Sequence, residues 1–216
     1  MTPSMPLMPF MPSAPTLPPD ARALLDTWCA DGLAIGWPSQ IPDHWFNATP
    51  EHDAELRARF GALVDEAIAG GLGDWTATPL GTLALVLLLD QLPRNLYRRQ
   101  ARAFAGDARA QQVAAAAQDA RVDEVLPLVG RVFLCMPFTH AESLPLQDRC
   151  VASFERLRAQ AAPEHHATLD DHLRYARLHR DIVVRFGRFP HRNAVLGRES
   201  TPEEIEFLKD GPRFGQ

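Results

Sequence analysis

LALVLLLDQLPRNLYRR, residues Leu83 to Arg99, decides how the rest of the chain is read. Seven consecutive apolar residues, Leu83 to Leu89, stop abruptly at Asp90 and give way to Pro93, Arg94 and Asn95. A segment with no polar side must be wrapped by other elements on every face. Leu and Ala dominate where a buried strand would favour Val and Ile, so the run reads as a helix. It is too short to span a bilayer, which takes about 18 or more apolar residues. Thr78 followed by Pro79 supplies a start signal, a hydroxyl for the free amides and a proline at the first helical position. Pro93 disfavours helical geometry at Leu92, so the helix is expected to end near Gln91. Asp90 then sits where a buried helix breaks and needs a hydrogen-bonding or cationic partner, because an unpaired buried charge costs several kcal/mol. Arg94 and the arginines of a second polar cluster, FGRFPHRN at Phe186 to Asn193, are the candidates.

Outward from this run the helical period dominates. Ala23, Leu24, Trp28 and Leu33 mark a first face, and Trp37 to Trp45 reads as a loop. Pro50 to Ala69 carries Leu56, Phe60, Leu63, Val64 and Ala67 at helical spacing, closed by Gly70 and Gly71. Asp107 reads as the cap of a helix to about Ala120, and Asp123 to Met136 as a helix stopped by Pro137. Ser143 reads as the cap of a helix to about Ala162, and Pro163 begins a long one to about Gly187. Thr201, Pro202 and Glu204 form a capping box for a terminal helix ending at Gly211. On the long helix Tyr175, Leu178, Ile182, Val183 and Phe186 form the apolar side. Arg177, Asp181 and Arg185 read there as a solvated ladder, and His172 and His179 as hydrogen-bonded core residues. No alternating segment demands a sheet. The expectation is an all-α single domain over residues 20–216, built of helix pairs that suggest stacked hairpins without a clean repeat.

At 216 residues and 46% hydrophobic the chain can bury one substantial core. A net charge of −5 argues against a general nucleic-acid binder. Its distribution says more: residues 90–102 carry four Arg and one Asp, residues 174–198 seven Arg and one Asp, so positive charge gathers at the two polar clusters. Lys209 is the only lysine, and arginine suits bidentate pairing with carboxylate or phosphate. Cys29, Cys135 and Cys150 are odd in number and lack CxxC spacing, which points to free thiols in a reducing compartment, the cytoplasm. Residues 1–19 lack charge and place proline at 3, 6, 9, 12, 15 and 18, the period of polyproline II, and are expected to form a disordered leader outside the folded domain. They lack the basic start and continuous apolar core of a secretory signal, and no membrane association is expected.

Three segments carry a resemblance: LALVLLLDQLPRNLYR, FLCMPFTHAESLPLQ from Phe133 to Gln147, and HRDIVVRFGRFPHRNAVLGREST from His179 to Thr201, with Trp45–Phe46 and Asp74–Trp75 also fitting. In this order they resemble a bacterial family known as domain of unknown function 924, whose members are helical and look like tetratricopeptide-type superhelices. The resemblance covers the chain from about residue 20 and implies stacked antiparallel helix hairpins in an α-α superhelix. It implies no activity.

Each segment places polar residues just after a proline-broken helix: Arg94 and Asn95; His140 and Glu142; and His191, Arg192 and Asn193, with Arg188 shortly before. Broken helices expose backbone groups and let polar side chains converge. If they meet, with Asp90 and His191 in the same ligand-binding set, the arginines clamp an anion bidentately, the asparagines orient it, and the ligand is an anionic small molecule or phosphate-bearing group. His140 then exchanges a proton, its tautomer fixed by Glu142 or Asp90, as in a hydrolase or lyase. No HExxH or other metal spacing occurs, no glycine-rich phosphate loop is present, and no cofactor is indicated. Ser143 and Ser200 read as a cap and a helix approach rather than as nucleophiles. Two competing readings stand beside the pocket. Asp90, Arg94, Asn95, Arg188, Arg192 and Asn193 form a buried network that fixes the fold without a ligand, or the helices form a scaffold for a protein or peptide partner.

Overall fold

The computed structural model describes residues 15–212, so the proline-rich segment up to residue 14 lies outside the described residues. Regular structure among them is helical throughout. Four helices precede the apolar run: α1 (Pro19–Cys29), α2 (Gly32–Ile35), α3 (Asp43–Phe46) and α4 (Pro50–Ile68). The run itself forms α5 (Pro79–Val86) and leads into α6 (Leu92–Leu96). Then follow α7 (Asp107–Asp119), α8 (Leu128–Thr139), α9 (Leu144–Gln160), α10 (His166–Phe186) and α11 (Pro202–Asp210). Among the described residues no helix is long and apolar enough to cross a membrane.

Helix α5 is the axis of the core. Thr78 Oγ1 accepts the Gly81 N–H at 3.0 Å, and every residue from Leu83 to Leu89 is fully buried. Helices α1, α7 and α8 and the tight turn at Gly73–Ala77 surround it, which is how a helix with no polar side is satisfied. The expected stop near Gln91 does not occur. Leu87–Gln91 widens into a π-helical turn, with the Leu92 N–H reaching back to Leu87 O, and the chain continues into α6. Pro93 is tolerated because it falls in the first turn of α6, where a missing N–H leaves no bond unmade.

Other boundaries moved for similar reasons. Ala23 is exposed; α1 buries Ala21, Leu24, Leu25, Trp28 and Cys29, a tighter match to the helical period. Val122–Val125 is a 3-10 turn and α8 starts only at Leu128. Pro137 does not stop α8, which runs to Thr139. A proline so close to a C-terminus perturbs only the last turn. The fully buried Gln147 then donates to the carbonyls of Phe138, Thr139 and Ala141 at 3.1, 2.8 and 2.8 Å, collecting the acceptors that the helix end leaves open. Ser143 occupies the N-cap position of α9 without a side-chain cap bond, whereas the Thr201–Glu204 capping box forms in full. The Arg177–Asp181–Arg185 ladder gives way to pairs between elements: Arg177 bonds Glu155 of α9 at 2.9 Å, and Arg185 bonds Glu203 of α11 at 2.8 Å.

Gly106, just before α7, is pressed against the π turn. A Cβ there would fall inside contact distance of the Leu89 carbonyl oxygen. Gly106→Ala is therefore expected to lower stability by about 2–4 kcal/mol in a denaturant titration. Gly61→Ala, in the body of α4 where the new Cβ would meet only Arg57 Cγ at 3.6 Å, should instead raise it by about 0.5–1 kcal/mol. A Gly106→Ala midpoint equal to wild type would contradict the packing of α7 on the π turn.

Candidate functional site

The π turn presents Asp90 at zero exposure to three neighbours. Its Oδ1 lies 2.7 Å from His140 Nδ1 and 3.3 Å from Arg94 Nη1, and its Oδ2 accepts from Gln91 Nε2 at 2.6 Å. Arg94 donates to the Asp90 carbonyl and makes a bidentate pair with Asp107 at 2.9 and 3.0 Å. Arg192 reaches Asp107 Oδ2 at 3.3 Å and lies against the rings of Phe104 and Phe189, 4.6 Å from each. The series His140–Asp90–Arg94–Asp107–Arg192 thus joins all three motifs. Two carboxylates face two guanidiniums, so with a neutral imidazole the charges sum to zero.

Burial sets the protonation states. His140 is pushed below the usual histidine range by burial and by the charge of Arg94, and Asp90 only partly restores it, so the ring is neutral near neutral pH. Burial alone would raise the Asp90 carboxyl. It is held below the usual carboxylate range by its charged neighbourhood and the hydrogen bonds from His140 and Gln91; with His140 neutral, Arg94 is the cation that counts. An ionised Asp90 accepts from Nδ1–H, which leaves Nε2 as the acceptor. Nε2 has no hydrogen-bond partner among the described residues. Burial also lowers Arg192 to about 10, with Arg94 adding to the effect.

His140 lines a cavity of about 650 Å³. Gln91, Arg94, Asn95 and Arg98 of the helix break share its lining with Trp37, Trp45, Phe133 and Met136, and Thr139, Thr168 and Asp171 add further polar groups. His172 and His179 of α10 also line it: His172 stacks on Phe154 at 5.4 Å, and His179 Nδ1 bonds Tyr175 O at 2.8 Å. Both are core histidines that also face the cavity.

The remaining candidates are placed differently from one another. Asn95 lines the cavity but spends both amide hydrogens on His44 O and Asp53 Oδ1, at 3.0 and 3.1 Å, fastening α6 to α3 and α4. Glu142 is not the partner of His140. It pairs with Arg198 at 2.7 and 2.9 Å and accepts the Phe189 N–H at 2.8 Å, because the chain leaves α8 at His140 and turns Glu142 toward the C-terminal segment. Arg188 and Asn193 converge on Glu204 of the capping box, at 2.7 and 3.2 Å. Arg188, His191, Arg192 and Asn193 are not part of the cavity lining. Among the described residues no group of three or more His, Cys, Asp or Glu side chains is arranged to hold a metal ion.

Sequence reasoning missed Asp107, which it read as a helix cap; it is the first residue of α7, its side chain makes no cap bond, and it is the hub between two arginines. The signal available was the excess of arginine in the two clusters, which required carboxylates from elsewhere in the chain.

Buried histidines make stability pH-dependent. His172, His179 and His191 are lowered by burial to about 4, 3 and 4 from an ordinary 6.5. Between these values the unfolded chain holds protons that the folded chain refuses. Stability is therefore full above pH 6.5 and is lost as pH falls toward 4. At pH 5, unfolding should take up about three protons from these groups, read from the slope of unfolding free energy against pH. An uptake below about one proton would contradict the burial of these rings.

The chain is similar to a solved structure of a protein of unknown function from Agrobacterium tumefaciens, with 36% sequence identity and a TM-score of 0.75 over 88% of this chain and 97% of that one. No curated protein matches it. Residues 24–212 match the pattern of a family described as "Bacterial protein of unknown function (DUF924)", and over that span, most of its length, the chain belongs to this family.

Proposed function

We propose that the cavity binds a small molecule with an apolar body and a hydrogen-donating head. The head meets His140 Nε2, and the body lies among Trp37, Trp45, Phe133 and Met136. One observation carries the reading: a neutral imidazole, held by a buried carboxylate through Nδ1 at 2.7 Å, lines a 650 Å³ cavity whose lining surface is mostly apolar. A convergent polar group at the end of an apolar cleft is the usual form of a small-molecule site. The anion clamp expected from the arginines has weaker support. Arg94, Arg188, Arg192 and Arg198 each already face a carboxylate, so an incoming anion competes with a charge in place.

A protein or peptide partner is a second reading. It is favoured by the cavity rim, where Ile41, Phe46 and Tyr175 are 45%, 73% and 47% exposed. The packing of α8 on α9 and of α9 on α10 is consistent with stacked hairpins of the tetratricopeptide kind. Three buried thiols without disulfides fit a reducing compartment such as the cytoplasm.

Naphthol, an apolar body with one O–H, tests the first reading through quenching of tryptophan fluorescence. Wild type should quench saturably, and His140→Ala should weaken naphthol about tenfold while leaving naphthalene unchanged, the effect of one lost hydrogen bond. Equal loss for both compounds, or no saturation in wild type, would contradict the reading.

A further inference from the structure

We infer that the Asp90–His140 pair makes this cavity a site for hydrolysis of uncharged esters that carry an aromatic or branched apolar group. The inference rests on the cavity reading above and adds a reaction to it. Its geometry is that of a base and its orienter. Asp90 Oδ1 holds His140 Nδ1 at 2.7 Å, and Gln91 and Arg94 fix the carboxylate in turn, so the ring has one orientation and one tautomer. Nε2 is left as a basic nitrogen with no protein partner among the described residues, in a cleft that shields it from bulk water.

The nucleophile is water. No hydroxyl or thiol among the described residues bonds His140. Thr139 Oγ1 is engaged with Cys150 Sγ at 3.0 Å, and Ser200 Oγ accepts from Asn193 at 3.0 Å. Cys29, Cys135 and Cys150 are buried, with thiols pushed well above the usual range by desolvation. His140 Nε2 takes a proton from water as the water oxygen bonds to the ester carbonyl carbon. The resulting oxyanion meets no uncommitted cation, because Arg94 at the cavity lining already faces Asp90 and Asp107, so the step relies on the base and its positioning. Collapse breaks the bond from carbon to the alcohol oxygen, the imidazolium proton passes to that oxygen, and acid and alcohol leave with His140 neutral again. The substrate is uncharged because the charges of the network cancel, and the two other charged lining residues, Arg98 and Asp171, are already paired with Asp53 and Arg174.

Asp90 acts here as a positioning residue, through His140. Its loss would lower the histidine pKa further, since the nearby negative charge supports the imidazolium. The acid limb of a rate profile would then move to lower pH, whereas a purely structural role would reduce active protein without moving it.

Naphthyl butyrate provides the test, with naphthol release followed by fluorescence and naphthol binding measured on the same preparations. Wild type should release naphthol well above the buffer rate, and His140→Gln should lose at least about a hundredfold in rate while still binding naphthalene. Asp90→Asn should show the shifted acid limb. Naphthol binding without ester turnover in wild type would overturn the hydrolytic inference and leave the binding reading intact. Undiminished turnover in His140→Gln would also overturn it. Absence of both binding and turnover would remove the cavity reading as well.

Discussion

A carboxylate with zero exposure in the core helix is the constraint on which the rest depends. Asp90 follows seven buried apolar residues and has no water to solvate it, so its neighbours are prescribed. The π turn aims it at His140 and Gln91 and brings Arg94 within reach. Arg94, itself buried, then needs Asp107, and Asp107 balances Arg192. These contacts join residues 50, 13 and 85 positions apart in sequence, so they tie the ends of α6, α7 and α8 and the C-terminal segment into one arrangement. Removing Arg94, which faces both buried carboxylates, strands a buried charge, which typically costs about 3–5 kcal/mol. The network that fixes the fold is thus the same one that orients the imidazole facing the cavity.

Local signals were readable where the physics was local. The cap at Thr78, the capping box at Thr201 and Glu204, and the left-handed Gly187 that ends α10 follow from short-range backbone chemistry. The two proline stops failed because the rule for proline treats a helix alone. At Pro93 the π turn shifts the hydrogen-bond register, and near Pro137 a side chain ten residues later collects the open carbonyls. Neither compensation is written in the residues beside the proline. At the site, residue types announced themselves while orientations did not. His140 and Glu142 are two residues apart yet serve different elements, and Asp107 looks like any helix-starting aspartate until the arginines around it are seen.

The charge pattern also changes meaning once the pairs are known. Arginine concentrated near two breaks suggested capture of an outside anion; instead Asp107, Asp53, Glu142 and Glu204 neutralise the cluster from within. Among the groups that line the cavity, His140 keeps one ring nitrogen, Nε2, without a hydrogen-bond partner among the described residues. This shifts the expected chemistry from electrostatic clamping to hydrogen bonding and proton transfer, for which an immobile, neutral imidazole is suited.

The most direct measurement is the nitrogen-15 NMR of the histidine side chains as a function of pH. His140 is expected to be the neutral tautomer protonated at Nδ1 and to stay so as pH falls through 6.5, because burial and Arg94 oppose its charging. An Nε2-protonated ring, or one that titrates at the ordinary value, would contradict the Asp90–His140 pair as the element that connects this fold to its cavity.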